Sequence, residues 1–316
     1  MGQVSMFKRL RKNFPRRIPG FLGALLLAAA VSLPQFSWAA ASEIPYSQGL
    51  LWRVQRDGGP VSYLLGTIHS TDPRLRELPA EIDRAIDESR LMAFELLAGG
   101  PGQERMGQAM LLPPGRSLED VIGRELFLRA LEAAAPLGLP AESLQRFKPW
   151  ALAIFLGRPA VEVIRQAQGV PAFDFWLQDE ARRRGKQVLA LESYEEQIEV
   201  FDGMSEAEQV AMVTDMLADH AEIEAQFNRM FRAYLKGDIG VAMRIANDVS
   251  GVSDTAAAEH FKARLIDDRN RIMAARILPL LRDGGAFVAV GAAHLPGEDG
   301  ILARLEQRGY GIARVY

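Results

Sequence analysis

Hydrophobic periodicity divides the chain into a sheet-forming start, a helical middle and a sheet-forming end. Residues 50–56 alternate apolar and polar side chains, the turn sequence at 57–60 interrupts them, and the extended pattern resumes over 61–65, which predicts a β-hairpin. Helical spacing follows over 79–88, and an apolar run over 91–97 predicts a third strand. The fold therefore opens as strand, strand, helix, strand.

The middle of the chain, from 118 to 245, has the spacing of helices. Within it, residues 172–184 predict a helix that ends at Gly185, and 187–191 predict a short buried strand. Three pairs have the capping-box spacing that marks helix starts: Ser117 with Asp120, Ser193 with Glu196, and Ser205 with Glu208.

The end of the chain returns to a sheet pattern after a helix predicted over 256–281. Small and β-branched residues over 286–292 suit a central strand, a helix is predicted over 300–307, and a last strand over 311–316. These patterns predict an α/β fold: a mixed β-sheet built from N- and C-terminal βαβ-like segments, with a large helical middle.

The first 39 residues differ in composition from the rest and predict a secretory signal peptide. They carry six basic and no acidic side chains, then a 13-residue apolar run over Phe21–Leu33, then small-x-small sites for cleavage near 39–41. The run is too short for a membrane span, so export to the periplasm or medium is favoured over an uncleaved anchor. Arg16-Arg17 leaves twin-arginine and general export both open. Residues 40–316 are then predicted to form a single domain.

Charge and cysteine content exclude several functions. Without residues 1–39 the net charge changes from −3 to −9, which disfavours binding to nucleic acid. The chain has no cysteine, so disulfides, thiolate metal sites and cysteine nucleophiles are excluded. No later segment is long and apolar enough to predict a stable membrane span after cleavage.

Two of the four histidines share a local setting that suggests a common site. His69 ends the run Gly66-Thr67-Ile68-His69, and His294 ends Gly291-Ala292-Ala293-His294, each after a predicted strand. A glycine at a strand end lets a ligand or another backbone approach closely, and sites in α/β sheets lie beyond strand ends. The repeated Gly-x-x-His motif favours this site over two unrelated structural histidines.

Glu95 is the third candidate, because it is the only charged residue in the apolar run over 91–97. A buried carboxylate is unfavourable unless a cation or hydrogen-bond donors meet it. The partner is either a core arginine or a site shared with His69 and His294. Two imidazoles and a carboxylate suit a divalent ion such as Mn, Fe, Co or Zn, and Glu95 is then either a ligand or the general base.

These motifs, over residues 51–316, resemble the TraB/GumN family, which includes the Tiki metalloproteases. Besides the two Gly-x-x-His motifs, the segments that carry the resemblance are Phe94-Glu95, Gly185-Lys186, Leu191-Glu192-Ser193, Glu195-Glu196-Gln197, Asp268-Arg269-Asn270 and the closing Leu295. The resemblance implies a fold like those of Tiki, the erythromycin esterases and the ChaN-like proteins. It also implies metal-dependent peptide cleavage, with Mn or Co favoured, at His69, Glu95 and His294.

The resulting hypothesis is an exported metal-dependent hydrolase that acts on a peptide or another small extracytoplasmic substrate. Arg269 and Asn270 carry donors suited to stabilising an oxyanion, which makes them candidate catalytic residues beside Glu95. Asp174 and Glu192 either support the site or form local caps and pairs. The alternative function is a non-catalytic metal- or haem-binding periplasmic protein.

Overall fold

The computed structural model describes residues 44–248 and 260–316, and the predicted signal peptide lies outside them. Six strands form one mixed sheet. Their bounds are β1 Leu51–Gln55, β2 Ser62–Thr67, β3 Leu91–Phe94, β4 Gln187–Ala190, β5 Ala286–Gly291 and β6 Gly311–Arg314. The order across the sheet is β4-β3-β5-β2-β1-β6. The predicted α/β fold is confirmed.

The centre of the sheet brings the two ends of the chain together. Strand β5 lies between β3 and β2 and is parallel to both, with Gly66 opposite Val290 and Phe94 opposite Ala289. Strands β1 and β2 form the predicted antiparallel hairpin. Because β3, β5 and β2 run in the same direction, the residues that follow them lie close together beyond the C-terminal ends of these strands.

Helices connect the strands and form the predicted helical middle. Those before β4 are α1 Ala80–Glu88, α2 Gly100–Ala109, α3 Leu118–Ile122, α4 Arg124–Ala134, α5 Ala141–Leu144, α6 Pro149–Leu156, α7 Ala160–Ala167 and α8 Phe173–Arg183. Those after it are α9 Tyr194–Asp202, α10 Glu206–Ala218, α11 Ile223–Leu235, α12 Ile239–Asp248, α13 Asp268–Asp283 and α14 Ile301–Glu306. None of the described helices has the length and apolarity needed to cross a membrane.

Alternating side chains cover both faces of the sheet with separate apolar cores. On one face, Met92 and Phe94 pack with residues of α1, α8, α11 and α12. On the other face, Leu91 and Ala93 pack with residues of α13 and α14. A third core lies within the helical middle, where Trp150 stacks on Phe201 with ring centroids 5.0 Å apart. All three predicted capping boxes are present and begin α3, α9 and α10.

Several predicted elements differ from the structure in their boundaries or burial. The third strand ends at Phe94 instead of Leu97, because the chain bends where the Glu95 carboxylate meets its partners. The strand predicted as buried over 187–191 lies at the edge of the sheet as β4 and is only partly buried. The last strand ends at Arg314. The helix predicted over 256–281 is described from residue 260, and a π-turn over Ala263–Asp267 precedes α13.

The capping box of α9 gives a pH-dependent prediction. Hydrogen bonds from Arg276, aided by backbone and side-chain bonds from Ser193, lower the pKa of Glu196 to about 2. A carboxyl group whose pKa is lowered by folding stabilises the protein above its unfolded pKa, and this stabilisation is lost as the pH falls toward 2. In Arg276→Gln we expect the pKa of Glu196 to rise toward its ordinary value, as measured by NMR titration. An unchanged pKa would contradict this assignment.

Candidate metal centre

The three predicted site residues follow three neighbouring parallel strands and lie beyond the C-terminal ends of these strands. Glu95 follows β3, His69 follows β2, and His294 closes a 3-10 turn after β5. All three side chains are buried. The Oε1 atom of Glu95 lies 3.8 Å from Nε2 of His294. Parallel pairing therefore assembles residues that lie far apart in the sequence.

The glycine of the first Gly-x-x-His motif is required by the approach of the second motif. A Cβ atom on Gly66 would lie 3.1 Å from both the Cα and the Cβ of Ala292, which is tighter than ordinary van der Waals contact. The hydroxyl of Tyr234 also donates to the carbonyl of Gly66, over 2.8 Å. The two motifs therefore pack directly against each other because Gly66 has no side chain.

We expect Gly66→Ala to lower the free energy of unfolding by about 1–3 kcal/mol, because the new methyl group must push the two motifs apart. Chemical denaturation measures this loss. Gly311→Ala is the matched control, since a Cβ there would lie at an ordinary 3.4 Å from its nearest neighbour. Equal stability of both variants would contradict the close packing of the motifs.

His69 is held in one orientation by Asp174, which lies on α8. Nδ1 of His69 donates to Oδ1 of Asp174 over 2.6 Å. Burial lowers the pKa of His69, but the charge and hydrogen bond of Asp174 outweigh burial, and the pKa is raised overall. Nε2 of His69 is buried without a hydrogen-bond partner. The ring is therefore fixed through one nitrogen and free at the other.

His294 is oriented in the same way, by an amide instead of a carboxylate. Its Nδ1 donates to Oδ1 of Asn270 over 2.6 Å, and the Nδ2 of Asn270 donates to the carbonyl of Asp299. Burial, the charge of Arg269 and the charge of His69 hold the pKa of His294 well below its ordinary value. Its Nε2 is also buried and unpartnered. The neutral ring thus keeps a lone pair on Nε2.

Glu95 belongs to a buried ion-pair network. Nη2 of Arg269 donates to Oε2 of Glu95 over 2.9 Å and to Oε2 of Glu192 over 2.6 Å. The backbone N–H of Gly291 donates to Oε1 of Glu95 over 2.5 Å. Burial raises the pKa of Glu95, with a further contribution from the charge of Glu192, while Arg269 opposes the shift. Glu95 therefore has both of the predicted partners: it pairs with a buried arginine, and it lies at the histidine site.

Arg269 and Asn270 lie at the site, where both side chains donate hydrogen bonds to other groups of the protein. The remaining nitrogens of Arg269 donate to Glu192 and to the carbonyl of Leu265. The side-chain amide of Asn270 accepts a hydrogen bond from His294 and donates one to the carbonyl of Asp299. These contacts hold Glu95 and His294 in place, and the predicted role of Arg269 and Asn270 in stabilising an oxyanion stays a prediction. Asp174 and Glu192 support the site, so their hydrogen bonds are not limited to local capping.

The histidine pair fits a metal ion in its donor chemistry. In the residues that the structure describes, no three His, Cys, Asp or Glu side chains form a ready-made metal cage. Metal-binding histidines commonly have one ring nitrogen hydrogen-bonded to a carboxylate or carbonyl oxygen and the other on the metal, as the free Nε2 atoms of His69 and His294 would allow. Beside His69 and Glu95 lies a cavity of about 20 Å³, which is large enough for a water molecule or an ion.

Buried charge around the pair also favours a cation. Four buried carboxylates surround the histidines, whereas only two buried guanidinium groups accompany them. The carboxylates are Glu95, Glu162, Asp174 and Glu192, and the guanidinium groups are those of Arg158 and Arg269. If all of these groups are charged, the carboxylates exceed the guanidinium groups by two, and the raised pKa of His69 favours a protonated ring that reduces this excess to one. A bound cation would neutralise the remaining negative charge.

Sequence reasoning missed two of these charged residues, Arg158 and Glu162. Glu162, on α7, accepts hydrogen bonds from Ser70 and Thr71, the two residues after His69. Its oxygens thus anchor the loop that carries His69. The available signal was weak: in a helical pattern, a charged residue between apolar neighbours usually faces solvent.

Comparison with known proteins relates most of the chain to one family. A model of the TraB/PrgY/gumN family matches residues 50–314. The chain is 28% identical to Metalloprotease TIKI1 of Danio rerio over 82% of its own length and 62% of the relative. It is 26% identical to Metalloprotease TIKI1 of Homo sapiens and 27% identical to Metalloprotease TIKI2 of Xenopus tropicalis, each over 60% of the relative. The chain therefore spans about three fifths of the length of these curated relatives.

Proposed function

Because the chain belongs to the TraB/PrgY/gumN family, we propose that it is a metal-dependent hydrolase that cleaves peptide bonds. The observation that carries the proposal is the pair of buried, unpartnered Nε2 atoms on His69 and His294, each in a ring fixed through Nδ1. The relatives named metalloproteases support the same chemistry. Mn or Co is the preferred ion, with Zn or Fe as alternatives.

In the proposed reaction, the residues of this chain hold the ion and move a proton. His69 and His294 supply Nε2 ligands, while Asp174 and Asn270 keep the rings oriented. A divalent ion held by these residues would polarise the carbonyl of a peptide and make water a better nucleophile. Oε1 of Glu95 takes the proton of the attacking water and passes it to the leaving amine. Arg269 and the N–H of Gly291 hold the Glu95 carboxylate for both transfers.

We expect Glu95→Gln to lower kcat/KM at least about 100-fold while the bound metal stays near the wild-type level, because loss of a general base removes about 10²–10⁴-fold. Activity assays and elemental analysis of the same sample measure the two quantities. Glu196→Gln is the matched control, since Glu196 is hydrogen-bonded to Ser193 and Arg276 and not to His69, Glu95 or His294. Loss of metal in Glu95→Gln would show that Glu95 is a ligand and not the base.

A peptide library tests the hydrolase proposal directly. The purified protein is treated with a chelator, reloaded with Mn, Co or Zn, and incubated with the library, and cleavage is followed by mass spectrometry. We expect cleavage only after reloading. Metal binding without cleavage of any peptide would support the alternative of a non-catalytic metal-binding protein.

We also propose that the chain acts outside the cytoplasm, in the periplasm or the medium. The basic, then apolar composition of residues 1–39 supports this location. N-terminal sequencing of the protein recovered from outside the cytoplasm checks it. We expect a mature chain that begins near residue 40, and recovery of the uncleaved chain in the membrane fraction would contradict the proposal.

A further inference from the structure

Arg158 is a buried positive charge that the proposed mechanism does not use. It lies between α6 and α7, and only 8% of its surface is exposed. Its Nη2 atom is buried and has no hydrogen-bond partner. None of the ion pairs formed within residues 44–248 and 260–316 includes it, in contrast to the buried Arg269, which pairs with two carboxylates.

Arg158 lies just before α7, and Glu162 of α7 accepts hydrogen bonds from Ser70 and Thr71, so the start of this helix packs against the loop that carries His69. The positive charge of Arg158 lowers the pKa of His69, and the charge of Asp174 in turn acts on Arg158. Burial lowers the pKa of Arg158 to about 10, although Glu162 and Asp174 oppose this shift. Both His69 and Asp174 line the cavity beside Glu95. Arg158 is thus within electrostatic reach of the proposed reaction centre.

The neighbouring carboxylates do not require Arg158 as a partner. Both oxygens of Glu162 accept hydrogen bonds from Ser70 and Thr71, and Asp174 is bound to His69. The charges of Glu162 and Asp174 stabilise the guanidinium group, but its buried Nη2 lacks a hydrogen-bond acceptor, which is unfavourable. Its planar donors match a carboxylate, which they can bind through two parallel hydrogen bonds. The arrangement suits an anionic group supplied from outside the chain.

We propose that Arg158 binds a carboxylate of the peptide substrate beside His69, so that the site selects peptides with a negative charge close to the cleaved bond. This inference rests on the proposed function and adds a substrate preference to it. The carboxylate is either the C-terminal group of the peptide or the side chain of an Asp or Glu residue. The first source would make the protein an exopeptidase acting near C-termini, and the second an endopeptidase with acidic specificity.

Binding of cleavage-resistant peptides tests the proposal without relying on catalysis. The probes are three dansyl-labelled alanine tripeptides with N-methylated peptide bonds: the free acid, its carboxamide, and a carboxamide in which one alanine is replaced by aspartate. Fluorescence anisotropy gives Kd for the purified protein, both loaded with Mn and treated with EDTA. Measuring both forms separates this proposal from the metal proposal, since a carboxylate preference does not need turnover.

We expect wild-type protein to bind at least one carboxylate probe about tenfold or more tightly than the neutral carboxamide, as hydrogen bonds to charged groups allow. Tighter binding of the free acid identifies the C-terminal carboxylate, and tighter binding of the aspartate probe identifies a side chain. Arg158→Gln should abolish the preference, and Arg158→Lys should keep part of it. Arg165→Gln on α7 is the matched control and should keep all of it.

Two results would overturn the proposal. One is equal binding of all three probes by wild-type protein in both the Mn-loaded and the EDTA-treated forms. The other is a carboxylate preference that survives in a folded Arg158→Gln variant, with folding checked by cooperative thermal unfolding. If Arg158→Gln does not fold, the Arg158→Lys variant provides the test. Its ammonium group lacks the planar pair of donors of a guanidinium group, so we expect carboxylate binding to weaken severalfold. An undiminished preference in Arg158→Lys would then count against the proposal.

Discussion

Replacing His69 or His294 by alanine is expected to lower kcat/KM for peptide hydrolysis at least about 100-fold, because the proposed ion contributes several kcal/mol to transition-state stabilisation. Each variant removes one of the two buried, unpartnered Nε2 atoms. Steady-state assays with a peptide from the library measure the effect. Circular dichroism should show that the fold is retained, since neither ring forms part of an apolar core.

His260→Ala is the matched control for these variants, because His260 is exposed. It should keep wild-type activity. A fully active His69→Ala or His294→Ala variant would contradict the assignment of the site. Since Asn270 and Asp174 would lose their ring partners, a moderate loss of thermal stability is compatible with the proposal, whereas unchanged turnover is not.

Replacing Arg269 by alanine is expected to lower the free energy of unfolding by about 3–5 kcal/mol, because two buried carboxylates lose their shared cation. Glu95 and Glu192 both bind Arg269 and are both buried. We also expect hydrolysis to be lost, since Glu95 is no longer held. Chemical denaturation measures the stability.

Arg276→Ala is the control for Arg269→Ala, because its pair with Glu196 is partly exposed and should contribute less than about 1 kcal/mol. A double-mutant cycle with Glu192→Gln isolates the pair, and removal of the uncompensated carboxylate should restore part of the stability. Equal losses in Arg269→Ala and Arg276→Ala would contradict the buried network. If Arg269→Ala does not fold, Arg269→Lys, which keeps the charge but not the fork, should show a smaller loss.

The parts of the fold that follow from local chemistry were predictable. The turn sequence between two alternating segments produced the hairpin of β1 and β2. The capping boxes began helices because a Ser side chain and a carboxylate satisfy free N–H groups at the helix start. Residues 286–292 suited a central strand because both faces of β5 are buried. The single domain predicted for 40–316 stays a prediction.

The histidine pair was predictable for a similar reason. Gly-x-x-His after a strand is a local pattern, and Glu95 was conspicuous as a charge within an apolar run. That the three residues meet depends on β5 lying between β3 and β2, which strand patterns alone do not determine. The early end of β3 also depends on tertiary contacts, because Glu95 turns toward Arg269.

The supporting contacts could not be predicted, since they join residues far apart in the chain. Glu192 and Arg269 are separated by 77 positions, and His69 and Asp174 by 105. Asp174 and Arg269 lie on helices, and nothing in their local sequence indicates which distant side chain each of them contacts. Arg158 and Glu162 show the same limit, because only the packed structure shows that these charges are buried.

The metal content of the purified protein tests the central claim most directly. The protein is prepared without chelator beside the His69→Ala/His294→Ala double variant, and both are examined by elemental analysis before and after incubation with Mn, Co and Zn. We predict about one equivalent of transition metal in the wild type and none in the variant. Absence of metal from the wild type, even after incubation, would show that the two Gly-x-x-His motifs are structural and that the proposed hydrolase is wrong.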